Sequence, residues 1–188
     1  MTVLTAPLSS TADSYTQTEY RIRCEWGVRG VLTLAPISDV VIIIDVLSFT
    51  TSLDITVAQG AVVYPYLYRD ASVYTYAESV DAEVAHLDNP QGFSLSPMTL
   101  ERLHAGYRMV LPSPNGSTLS LSTGDTPTLA GCLRNARAVA DQAMTIGRNI
   151  AVIPSGERWR EDDTLRPSLE DWLGAGAIIS YLHGARSP

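Results

Sequence analysis

One short run constrains the fold most. Val40, Val41, Ile42, Ile43 and Ile44 are five consecutive β-branched residues, and Asp45 follows at once. Successive side chains of a strand point to opposite faces, so an unbroken apolar run requires both faces to be covered. That pattern predicts a central strand of a parallel sheet with helices on either side. A carboxylate at the end of such a strand is desolvated unless a metal ion or hydrogen-bond donors meet it.

Other segments fall into place around this strand. Residues 61–66, 109–111, 128–133 and 150–154 read as further strands, with Pro65 marking an edge. Residues 20–26 place Tyr20, Ile22, Cys24 and Trp26 on one face and Arg21, Arg23 and Glu25 on the other, a half-buried strand near an edge. Gly27 and Gly30 bracket a turn. Residues 48–59 carry helical spacing, with Ser48, Thr50 and Thr51 as caps and Gly60 as the stop. Helices are also expected over 71–80 behind Asp70, 97–104, 117–123, 135–146 behind Asn135, and 169–182 behind Ser168. Asn89 and Pro90 mark a break, and residues 155–167 a long polar loop. Strands alternating with helices make the fold class α/β: a layered α/β/α arrangement with a largely parallel or mixed sheet. Residues 20–188 are expected to form a single domain, preceded by a mobile Ser/Thr-rich tail over 1–19.

The formal net charge of −7 argues against nucleic acid and anionic membranes as partners. All 13 basic residues are arginine, so Schiff-base and Walker-type lysine chemistry are excluded. Cationic contacts must come from arginine, a metal or backbone N–H groups, and arginine suits carboxylate, sulfonate and phosphate. Cys24 and Cys132 lack metal-ligand spacing and read as buried apolar residues in a reducing compartment. His86, His104 and His183 stand singly and read as structural. No signal peptide or membrane-length apolar run is apparent, and a cytoplasmic location is expected.

Ligands of open α/β sheets bind beyond the carboxyl ends of the strands. There the chain supplies Asp45, then Ser113, Asn115, Gly116, Ser117 and Thr118, then Ser155, Gly156, Glu157 and Arg158. Asp45 suits a metal ligand, nucleophile or acid–base group, or else a cap for the next helix. The functional role is favoured because Ser48 and its threonine neighbours can already cap. Gly116 and the hydroxyls around it form a potential anion nest, or a plain turn and N-cap. Arg158 suits an acidic substrate, or a surface pair with Glu157 or Glu161. Glu170 and Asp171 open the last helix, where carboxylates are favoured anyway, but both could hold a divalent cation.

These segments resemble the 2-phosphosulfolactate phosphatase family. The likeness runs through Ile43-Ile44-Asp45-Val46-Leu47, Thr50-Thr51, Gly60-Ala61 and Asn115-Gly116-Ser117-Thr118. It continues through Asn135-Ala136-Arg137-Ala138-Val139-Ala140, Gly156-Glu157-Arg158, Glu170-Asp171 and Ala175-Gly176-Ala177-Ile178. Trp26-Gly27-Val28-Arg29-Gly30 is similar to some members. The resemblance implies magnesium-dependent hydrolysis of a small phosphorylated acid, with Asp45, Glu170 and Asp171 as metal and catalytic groups. Ser113, Asn115, Gly116, Ser117, Thr118, Asn135, Ser155, Gly156, Glu157 and Arg158 would contact substrate. Ser48 stands where family members usually carry arginine. The chain also ends before a further family segment, so a C-terminally short member is expected. The alternative is a non-catalytic module that binds a small anion. The apolar helix over 175–182 suggests surface in need of cover, and hence a homodimer.

Overall fold

The computed structural model describes residues 15–68, 70–85 and 92–188. His86, Asn89, Pro90 and residues 1–14 of the expected tail lie outside these. Within residues 15–19, the Gln17 amide brackets the backbone of Cys24: its Nε2 donates to Cys24 O (2.9 Å), and Cys24 N donates to its Oε1 (3.1 Å).

The chain folds as a layered α/β structure. Its strands are β1 (Ile22–Cys24), β2 (Val40–Ile44), β3 (Val62–Tyr66), β4 (Glu83–Val84), β5 (Arg108–Pro112), β6 (Thr128–Gly131), β7 (Ile150–Pro154), β8 (Glu157–Arg158) and β9 (Leu165–Arg166). The helices are α1 (Gly27–Leu34), α2 (Phe49–Ala58), α3 (Ser72–Ser79), α4 (Pro97–Leu100), α5 (Gly116–Leu121), α6 (Ala136–Ile146) and α7 (Leu169–Tyr181), with a 3-10 turn at Ala35–Ile37. Two parallel sheets form, rather than the one expected. The larger has the order β1-β7-β2-β6 and the smaller β3-β5-β4, while β8 and β9 make an antiparallel hairpin. This hairpin lies within the stretch expected to be a polar loop.

β2 lies inside the larger sheet, and all five of its residues are buried. Val40, Ile42 and Ile44 face α6 and α7 through Ala136, Val139, Ala140, Ala143, Ala175 and Ile178. Val41 and Ile43 face the opposite layer, with Val31 and Leu34 of α1 and Leu119 of α5. The unbroken apolar run therefore follows from two covered faces. The smaller sheet has its own core, in which Phe49 and Ile55 of α2 pack with Leu100, Met109 and Leu111.

Three local expectations are corrected. The turn expected between Gly27 and Gly30 is the start of α1, because Val28, Val31 and Leu34 share one face against β2 and β7. Gly30 has no room for a side chain there, since a Cβ would lie 2.7 Å from Glu25 O. Arg23 is buried rather than solvated: its guanidinium donates to Tyr20 O and Ile37 O, each at 2.9 Å. Ser48, Asn135 and Ser168 occupy N-cap positions, yet none makes a side-chain capping bond to its helix.

The apolar face of α7 was also misplaced. Ala175, Ile178 and Leu182 are covered by the larger sheet and α6, whereas Leu169, Trp172 and Leu173 in the first half are 71%, 59% and 53% exposed. Among the described residues no helix is long and apolar enough to cross a membrane.

Candidate active site

All strands of the two main sheets run parallel to their neighbours, so their carboxyl ends deliver residues to common edges. Asp45 follows directly on β2, Ser113 on β5 and Ser155 on β7. Asp45, Ser48, Ser113, Asn115, Glu157 and Arg158 line one crevice of about 430 Å³, together with Leu47, Phe49, Leu95, Pro114 and Asp163. Three segments far apart in sequence thus meet at one cleft.

Asp45 is the most enclosed charge there, at 7% exposure. Its Oδ2 accepts from Gly116 N (2.8 Å) and lies 3.5 Å from the donating Ser113 Oγ, and its Oδ1 accepts from Phe49 N (3.4 Å). Asp45 therefore does hold the start of α2, contrary to the expectation that Ser48 would serve. Thr50 Oγ1 ties the Asp45 backbone instead, donating to its O at 2.8 Å and accepting from its N at 3.1 Å. Burial pushes the Asp45 carboxyl up to about 7, and the Asp171 carboxylate adds to the rise; the Phe49 and Gly116 N–H groups oppose it. Glu157 adds a smaller upward push.

Gly116 is required by space. A Cβ there would fall 2.2 Å from Phe49 Cδ1 and 2.7 Å from Asp45 Oδ2. A single methyl would displace both the aromatic ring and the carboxylate.

Asp171 is buried beside this site but does another task. Its Oδ1 accepts from Val46 N (2.8 Å), and its Oδ2 accepts from Gly156 N (2.8 Å) and Ser168 Oγ (2.9 Å). One carboxylate thereby ties the loop after β2, the loop after β7 and the start of α7. Burial raises its pKa and the two amides and the hydroxyl lower it. Neither Asp171 nor Glu170 lines the crevice. Among the described residues, no group of three or more His, Cys, Asp or Glu side chains is arranged to hold a metal.

The remaining expected site residues divide. Asn115 Nδ2 donates to Glu157 Oε2 (3.0 Å), joining two of the loops across the crevice. Arg158 Nη1 donates to Asp163 O (2.9 Å) and Asp163 Oδ2 (3.3 Å). Ser117 is fully buried and its hydroxyl donates to Leu111 O, so it is a brace behind the loop and not a wall of the crevice. Thr118 Oγ1 donates to Pro114 O. Asn135 accepts from Cys132 N (2.8 Å) and donates to Asp54 Oδ1 (3.0 Å) and Ala130 O (3.1 Å), an anchor for the turn after β6. Ser155 and Gly156 line a larger adjoining cavity of about 700 Å³, with Trp26 and Arg29. The role of Asp163 was missed, because a charged residue in a hairpin loop carries no local signal of the arginine it will meet.

The family model described as 2-phosphosulpholactate phosphatase matches residues 31–187. A probable 2-phosphosulfolactate phosphatase of Carboxydothermus hydrogenoformans is 34% identical over 150 residues. That alignment covers 76% of this chain and 60% of the relative, so the chain spans about three fifths of the curated protein it matches.

Proposed function

The chain belongs to the 2-phosphosulpholactate phosphatase family, and from that premise we propose that it hydrolyses a small acidic phosphate monoester of the 2-phosphosulfolactate type, with magnesium. The observation that carries this reading is the meeting of Asp45, Asn115 and Arg158 at one crevice. Asp45 and Glu157 are the carboxylates suited to a magnesium ion. Both line the crevice with hard oxygen donors, and magnesium commonly binds one or two carboxylates, leaving other positions to water and phosphate. Glu170 and Asp171 are left out of this set because neither lines the crevice. When bound, the metal supplies Lewis-acid stabilisation of phosphoryl charge.

The chain's own groups do the positioning. Gly116 N and Phe49 N orient the Asp45 carboxylate toward the cleft. Ser48, Ser113 and Asn115 offer polar contacts to phosphate, and Arg158 a cation for an acid group. The Leu95, Phe49 and Leu47 side chains lower the local polarity of the wall.

Ser48, at a position where the sequence resemblance leads one to expect arginine, favours a second reading: a protein that binds a small anion without turnover. Ser48→Arg separates the two. In a working phosphatase the added cation is expected to lower KM for a dianionic substrate by about tenfold. If neither parent nor variant releases phosphate from any acidic monoester, the binding reading replaces hydrolysis.

The same proposal includes a homodimer, joined through the exposed Leu169, Trp172 and Leu173 face of α7. Light scattering is expected to give twice the chain mass, and Trp172→Glu to give one. A parent that stays monomeric at high concentration removes the dimer.

A further inference from the structure

One motif of the sequence has no part in this reading. Trp26-Gly27-Val28-Arg29-Gly30 opens α1, and its first four residues line the adjoining cavity of about 700 Å³. That cavity shares Pro114, Asn115, Glu157, Arg158 and Asp163 with the Asp45 crevice, so the two adjoin along one wall. The start of α1 is held firmly there. The Trp26 indole stacks on Trp172, with ring centroids 5.8 Å apart and planes 10° from parallel. Gly27 turns the chain into the helix at φ 62°, in the left-handed region that a side chain disfavours. Arg29 therefore leaves a fixed base, and only its long, exposed side chain is free to move.

Charge singles out Arg29. The charged residues that line the cavity are Glu25, Arg29, Glu157, Arg158 and Asp163. Glu25 Oε1 accepts from Trp26 N (2.8 Å), Glu157 Oε2 accepts from Asn115 Nδ2 (3.0 Å), and Arg158 pairs with Asp163. Arg29 alone of this set is left without a hydrogen bond or ion pair among the described residues. It also stands in the first turn of its helix, where the helix dipole disfavours a cation and no acidic residue offsets it. An anion in the cavity answers both.

The proposed type of substrate carries such an anion. In 2-phosphosulfolactate the carboxylate sits on the carbon that bears the phosphate ester, and the sulfonate sits one carbon beyond. Arg158 lines both the crevice and the cavity, whereas Arg29 lines the cavity alone. With the phosphate at Asp45, the order of the two acid groups along the substrate matches the order of the two arginines. We propose that Arg29 is the specificity-determining residue that receives the sulfonate, while Arg158 takes the carboxylate. This rests on the phosphatase reading for the substrate, but the first part of its test needs no turnover.

The probes are sulfolactate and lactate, which differ by the sulfonate, titrated calorimetrically into the full chain. Sulfolactate is expected to bind at least about tenfold more tightly than lactate, because the sulfonate adds a charge-assisted contact. Arg29→Gln is expected to erase that preference and Arg29→Lys to restore part of it. The melting temperature of Arg29→Gln is expected to equal or exceed that of the parent, since a cation leaves the start of a helix. In turnover, Arg29→Gln is expected to raise KM for 2-phosphosulfolactate about tenfold with little change in kcat, because the sulfonate lies outside the reacting atoms. It is expected to act far less on 2-phospholactate, which lacks the sulfonate.

No preference for sulfolactate over lactate in the parent, or a preference that Arg29→Gln retains, overturns the proposal. A parent that binds sulfolactate through Arg29 but hydrolyses no phosphate ester leaves the sulfonate site standing and removes the phosphatase reading. Hydrolysis of 2-phosphosulfolactate with the same KM in the parent and in Arg29→Gln removes the sulfonate site alone.

Discussion

Asp45→Asn is expected to reduce metal-dependent phosphate release by about a thousandfold or more, and at the same time to make the metal-free protein more stable at pH 8. The first effect follows from charge, since an amide is a poor ligand for magnesium and a poor nucleophile. The second follows from burial. In the folded chain the Asp45 carboxyl is pushed up to about 7, first by desolvation and then by Asp171. Its unfolded value is near 4, so between these values the unfolded state has released the proton and the folded state has kept it. Stability is therefore lost as the pH rises from about 4 to about 7, and the loss is complete above that. The shift corresponds to roughly 4 kcal/mol, with the opposing pull of Gly116 N and Phe49 N already contained in it. The variant should melt roughly 10 °C above the parent at pH 8 and within a few degrees of it at pH 4. Thermal melts across that range read the effect; a variant less stable than the parent at pH 8 would show that the carboxylate is a net structural asset.

Asp171→Ala is expected to have the opposite balance, a large loss of stability with no direct loss of a metal ligand. It strands two backbone N–H groups, of Val46 and Gly156, and the Ser168 hydroxyl, all in a buried setting. Each unsatisfied donor costs about 1–3 kcal/mol and removal of a buried carboxylate offsets part of the sum, so a total of roughly 3–5 kcal/mol is expected. The melting temperature should fall by about 10 °C. Turnover should fall as well, because the loops carrying Val46 and Gly156 flank Asp45 and Glu157. At a temperature where the variant is folded, its magnesium affinity should match that of the parent. A magnesium affinity lost with the fold intact would instead return Asp171 to the metal set.

What the sequence revealed, and what it concealed, follows from the range of the interactions involved. Val40 to Ile44 announced a central strand because burial on both faces leaves a mark on every consecutive residue. The α/β alternation was legible for the same reason, since each element carries its own period. The split into two sheets was not, because it depends on which strands pair: β5 lies between β3 and β4 and touches neither β2 nor β7 as a ladder partner. Nor did local rules identify the groups that hold helix starts. Ser48 and Ser168 have the right chemistry at the right positions, but Asp45 bonds the start of α2 and Ser168 turns to Asp171.

The site showed the same division. Asp45, Asn115 and Arg158 were expected to lie together from strand ends alone, and all three line one crevice. Asp171 was read as a metal group because a carboxylate in the first turn of a helix gives no hint of Val46, 125 residues away. Ser117 and Asn135 were assigned to substrate on the strength of motif and composition. Their side chains are used inward, on Leu111 O and on Cys132, Asp54 and Ala130. A hydroxyl or amide in a loop serves equally well as a brace or as a contact, and only the packed structure decides which.

The central claim is that the crevice around Asp45 performs metal-dependent hydrolysis of a small acidic phosphate ester. The most direct measurement is inorganic phosphate released from 2-phosphosulfolactate by the parent and by Asp45→Asn, each with magnesium and with chelator. Release by the parent in magnesium alone, absent with chelator and in Asp45→Asn, is the expected result. Equal release by parent and variant, or none by a folded parent with magnesium present, would contradict it.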